Sequence, residues 1–259
     1  MQKNTLTIPA ATLVMGIFGA FLRWLQSMII FEETGLVTPG ETISVVYTVY
    51  SLLAAAAMVC IARIWKKRFA CPTDVSAALH ARSALPTAIT WGFCVICGIA
   101  ALVLMFTAGS AHYPTMQRCF GAAGIVTAAC FPALPIRQGE GASARTGAAY
   151  LPLFFCYWLV LLYRTDAENP VLWAYAPEIL AVAAGTMAFY YVAAYFYGRA
   201  RPAAALLFLQ LSAFLNLCVA FDTMSVAHKA LFLVTAGMSL LLEYLLVSNA
   251  PEATDTDIA

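Results

Sequence analysis

Arg23 is the residue most out of keeping with its neighbours. It stands inside the apolar run 8–30, about seven residues from the far end, roughly 10 Å deep at 1.5 Å per residue. A guanidinium at that depth in a membrane-length helix costs a few kcal/mol, so it faces a bundle interior or a wet cavity. Gln26, three residues on, shares its helical face. Two chemistries fit. Arg23 could bind an anion or carboxylate in an outward-facing pocket, or it could pair with a carboxylate such as Asp222 or Glu178 and tie helices together. Snorkelling to the head groups is the third option.

Arg118, Glu178, Asn216, Asp222, His228 and Lys229 fall near the same ends of other apolar runs. With Arg23 they outline a polar outer half in a nonpolar bundle. Each also has a simpler role. Glu178 suits a first helical turn, Asp222 can cap the helix that follows it, and Arg118 and Lys229 are shallow enough to snorkel. The candidate ligand-binding set is Arg23, Gln26, Asn216, Arg118 and Asp222. Gln210 lies mid-run, where an amide either bonds a neighbouring helix or lines a substrate path. Glu243, near the inner end of the last run, could reach Arg63 or Arg199 or couple protons; its shallow depth favours the structural role.

No constellation points to catalysis or to a cofactor. His80, His112 and His228 are scattered, and no G-x-S-x-G, H-E-x-x-H or P-loop is present. Cys94 and Cys97 form a C-x-x-C inside an apolar run, without further ligands for zinc; helix packing explains them, since free cysteine behaves as a small hydrophobe. The pair Glu32-Glu33 follows the first run. Membrane CAAX-type proteases also use a glutamate pair, with an arginine four residues after the second; that position here is Val37.

These residues are positioned by helices. Of 259 residues 63% are apolar and only 10% charged, against about 25% charged in an ordinary soluble domain, and the mean hydropathy is +0.82. The composition excludes a soluble enzyme, a nucleic-acid binder and an anchor carrying a large soluble domain. The expected fold is all-α: a polytopic transmembrane bundle of about eight helices over 8–30, 40–65, 86–106, 114–133, 148–163, 177–197, 202–221 and 226–247, followed by a short acidic tail at 249–259. The run 148–163 is the shortest and carries Pro152. Thr38-Pro39-Gly40-Glu41 reads as a capping box for the second helix. The first run continues past Arg23 through Ile30, which reads as a span rather than a signal peptide.

Lys3, Arg63, Lys66, Lys67, Arg68, Arg82, Arg137, Arg145, Arg199 and Arg201 fall on one side of an eight-helix layout; Arg23, Arg118, Arg164 and Lys229 fall on the other. That bias puts both termini in the cytoplasm. The loop 66–85 is too short for a domain, though 74–82 could form a small amphipathic helix, and its basic residues could bind lipid head groups or a partner. The tyrosines and phenylalanines of 189–197 read as an interfacial belt.

Gly19-Ala20-Phe21-Leu22-Arg23-Trp24-Leu25-Gln26 and Phe31-Glu32-Glu33-Thr34-Gly35-Leu36 resemble the start of a group of small bacterial multi-pass membrane proteins without an assigned activity. The resemblance implies a bacterial cytoplasmic membrane protein and carries over no site residues. The expected partner is the lipid bilayer. The leading expectation is a transporter or membrane-embedded binding protein for a small anionic or carboxylate-bearing molecule. The alternative is a structural or regulatory membrane subunit whose polar residues are interhelical ties.

Overall fold

Apolar runs of this length satisfy their backbone groups internally, as helices. The computed structural model describes residues 6–30, 42–69, 72–136, 142–166, 172–222 and 224–251. Its helices are α1 (Thr7–Ile30), α2 (Thr42–Arg68), the single turn α3 (Val75–Ala78), α4 (Ala84–Phe106), α5 (Pro114–Cys130), α6 (Ala142–Asp166), α7 (Leu172–Phe196), α8 (Pro202–Val219) and α9 (Val226–Asn249). Among the described residues seven helices are long and apolar enough to cross a membrane. The chain is a multi-pass helical membrane protein. α5, with 17 residues, is the short one; a 3-10 turn, Phe131–Ala133, extends it.

α8 and α9 form the centre. α8 packs on α1, α2, α7 and α9, while α9 packs on α1, α4 and α8. The periphery is apolar as well: Ile17 on α1, Leu52 and Leu53 on α2 and Ile99 on α4 are exposed, as a lipid-facing surface requires.

Hydrogen bonds fix which helix ends lie together. Asn249 donates to the carbonyls of Ala78 (3.1 Å) and His80 (2.9 Å), so the end of α9 meets the turn after α2. Ile136 N donates to Leu79 O and Ala81 N to Ile136 O, which brings the chain after α5 to that same turn. Tyr197 at the end of α7 donates to the carbonyl of Arg145 at the start of α6. Thr12, near the start of α1, meets Glu243, near the end of α9. The start of α1 and the end of α9 therefore share one end of the bundle with Lys66, Lys67, Arg68, Arg82, Arg145, Arg199 and Arg201. α4 leaves that end and α5 returns to it, so α5 traverses the bundle despite its length.

Several boundaries differ from the sequence expectation. The run 148–163 is the core of a 25-residue helix; its small, polar first turns pack Ala144 and Ala148 into the core. Pro177 lies inside α7 rather than at its start, as transmembrane helices tolerate. The amphipathic helix expected at 74–82 is one turn, capped by Asp74, because Leu79 and Ala81 give their backbone groups to Ile136. Ser225, not Asp222, caps α9, accepting from His228 N. Asn249, where the sequence places the start of the tail, is the last residue of α9; the capping box at 38–41, the pair Glu32-Glu33, Lys3, Arg137 and 252–259 of the tail lie outside the described residues. Among those described, the cysteines are free; Cys97 of the C-x-x-C is buried, with its thiol 3.8 Å from the Gly124 carbonyl.

Candidate functional site

The turn between α8 and α9 delivers Asp222 to Arg23 on α1. The guanidinium donates through Nε to Oδ1 (2.9 Å) and Oδ2 (3.1 Å) and through Nη2 to Oδ2 (2.9 Å). Nη1 donates to Gln26 Oε1 at 2.9 Å, and Gln26 Nε2 passes the chain on to Ser44 Oγ in the first turn of α2 (3.1 Å). The Tyr47 ring lies 5.9 Å from the guanidinium carbon. Arg23 is 1% exposed and Asp222 5%. Forked, doubly hydrogen-bonded pairing of this kind is the strong form of the arginine–carboxylate contact. Its chemistry is that of a clamp joining α1, α2 and the α8–α9 turn.

Of the five candidate residues, Arg23, Gln26 and Asp222 thus come together. Asn216 turns elsewhere: its amide donates to Ala181 O on α7 (3.1 Å) and to Ser212 O one turn back (2.7 Å). Arg118 is exposed on α5, which packs on α4 and α6.

A second polar group sits deeper. Glu243 on α9 is fully buried, and its Oε1 accepts from Thr12 Oγ1 of α1 (2.9 Å) and Gln210 Nε2 of α8 (3.2 Å). Glu243 Oε2 and Gln210 Oε1 are buried without a hydrogen-bond partner. No lysine, arginine or histidine lies within ion-pair distance of Glu243 among the described residues; the expected reach to Arg63 or Arg199 is replaced by contacts across the bundle centre. One turn along α9 from Glu243, Ser239 meets Ser212 of α8 at 2.9 Å, and Ser212 leads to Asn216, whose Oδ1 is also without a partner. A polar seam therefore follows the α8–α9 contact. The sequence holds a signal for it: Ser239/Glu243 and Ser212/Asn216 are four apart, on one helical face each. Thr12, a threonine among the apolar first turns of α1, offers no such pattern.

At the end opposite the basic one, a cavity of about 370 Å³ opens between α4, α5, α6, α7 and α9. Gln117, Glu178, His228 and the buried indole of Trp158 line it. His228 Nδ1 lies 2.7 Å from Ser225 Oγ, and Trp158 Nε1 is buried without an acceptor. Among the described residues no group of three His, Cys, Asp or Glu side chains is placed to hold a metal ion. The chain matches no protein-family model, no curated protein and no solved structure, so its function has to be argued from these residues alone.

Proposed function

We propose that this protein is a membrane-embedded carrier that exchanges a small cation, a proton foremost, at Glu243. One observation carries the reading: a fully buried carboxyl with one oxygen holding two hydrogen bonds, the other holding none, and no base beside it among the described residues. A carboxylate left charged in such surroundings is very costly unless a cation joins it. A proton on Oε2 neutralises it. Gln210 Oε1 is the second unpartnered oxygen of the group, an acceptor for that proton or for a monovalent metal ion. The seam through Ser239, Ser212 and Asn216 leads from Glu243 toward the opposite end. There the polar cavity supports a small carboxylate-bearing solute, with the Trp158 indole N–H as the donor still to be used. Both termini and the basic end are assigned to the cytoplasm of a bacterial cell.

The test compares wild type with Glu243→Gln in detergent, by thermal stability across pH and with added Na⁺, Li⁺ or K⁺, and by the infrared carboxyl band on acidification. The expected result is a Glu243-dependent shift in melting temperature and a carboxylic-acid band absent from the variant. If neither pH nor any cation acts through Glu243, the carrier reading fails.

The second reading, a structural or regulatory membrane subunit, is favoured by the Arg23–Asp222 clamp. Its carboxylate occupies the face an anionic ligand would need.

A further inference from the structure

We infer that the basic end of α6 and α7 carries a binding site for one anionic phospholipid. A cavity of about 710 Å³ lies between the first half of α6 and the last turns of α7, lined also by the exposed Arg199 and Arg201. Its wall is apolar and aromatic, with Pro152 and Leu153 on α6, Tyr190 on α7 and Tyr197 directly after it. It opens sideways, since Leu153 is 66% exposed, Tyr190 55% and Tyr197 57%. The cavity therefore faces the surface that the bilayer covers.

The two arginines are held there by the backbone. Gly198, with φ +66°, ends α7 in the left-handed region. Its N–H bonds to Tyr195 O (3.2 Å) and that of Arg199 to Ala194 O (2.9 Å), the two bonds of a Schellman turn. Pro202 then starts α8 directly after Arg201. Both arginines thus sit on a short turn fixed at each side. The Tyr197 hydroxyl, bonded to the Arg145 carbonyl, ties α7 to α6 beside the cavity.

The chemistry selects the occupant. Two guanidinium groups at the interface match a phosphate, and the apolar groove beneath them matches an acyl chain. A free phosphate would have no use for the groove. A zwitterionic lipid would bring its own cation to the arginines. Basic pockets between transmembrane helices hold anionic head groups on the same principle.

The experiment is a titration of purified protein in neutral detergent with phosphatidylglycerol, phosphatidylcholine or inorganic phosphate, read by native mass spectrometry and thermal shift. Wild type should retain one phosphatidylglycerol and be stabilised by it, but not by phosphatidylcholine. The double variant Arg199→Gln/Arg201→Gln should lose tenfold or more in affinity. Leu153→Trp, which fills the groove and keeps the charge, should also lose it, whereas Arg82→Gln, at the same end but outside the groove, should not. Equal stabilisation by inorganic phosphate would make this a soluble-anion site and overturn the proposal. So would unchanged binding by the double variant or by Leu153→Trp, or a loss with Arg82→Gln as large as with the double variant.

Discussion

The Arg23–Asp222 pair is worth most when one half is missing. Arg23→Gln leaves a carboxylate at 5% exposure without its guanidinium, and Asp222→Asn leaves the guanidinium without its carboxylate. Removing one partner of a buried pair costs about 3–5 kcal/mol, more than removing both. Each single variant should therefore melt well below wild type in detergent, and the double variant Arg23→Gln/Asp222→Asn should recover most of the loss. Additive losses would mean that the two residues act independently. The Glu243 group behaves differently. Glu243→Gln keeps an acceptor for Thr12 and Gln210 and should be close to neutral, while Glu243→Leu leaves both without it and should cost about 1–3 kcal/mol. Arg23 announces itself in the sequence because a charge in an apolar run needs a reason. Its partner is one of two carboxylates the sequence offers, Asp222 and Glu178, and only the fold, which brings together residues 199 apart, chooses Asp222. Glu243 reads as shallow by position, and only the packing of α1 and α8 over it makes it buried.

At the scale of the helix, geometry requires glycine at Gly121 and favours it at Gly198. A Cβ on Gly121 would stand 2.7 Å from the Ala101 carbonyl and 2.9 Å from Met105 N, both backbone atoms of α4. This close approach lets the short α5 pack along α4, as small residues do between transmembrane helices. Gly121→Ala should lower stability by about 1–3 kcal/mol through overpacking. Gly92, exposed on α4 with nothing within 4 Å of an added Cβ, should accept alanine without loss. Melting temperatures of the two variants check the contrast. At Gly198 the space is open, and the left-handed φ alone opposes alanine, a cost of about 1–2 kcal/mol. Helix existence is legible because apolar runs are long and lipid leaves the backbone no alternative. Helix ends are less so. Polar first turns such as 142–147 look like loop until the neighbours that bury Ala144 are known, and prolines such as Pro177, which end helices in water, are carried inside them here.

For the whole molecule, charge placement and chain geometry agree. The count of basic residues predicts one basic end shared by both termini. Independently, the hydrogen bonds bring the start of α1, the turn after α2, the end of α5, the α7–α8 turn and the end of α9 to one end. The proposed eight-pass layout accounts for that, with α5 crossing although it falls short of the other seven. The proposed orientation, with this end in the cytoplasm, follows the positive-inside rule. A fluorescent-protein fusion after Asn249 should fluoresce, and alkaline phosphatase fused after Asp166, at the end of α6, should be active. If α5 does not cross, α6–α9 invert relative to α1–α4, and a fluorescent protein fused after Arg68, at the end of α2, would report the side opposite to the fusion after Asn249. If the reporters after Arg68, Asp166 and Asn249 all invert together, the bundle stands as described but reversed. The cavity at Trp158 and His228 would then face the cytoplasm, and the carrier would take its solute from within the cell.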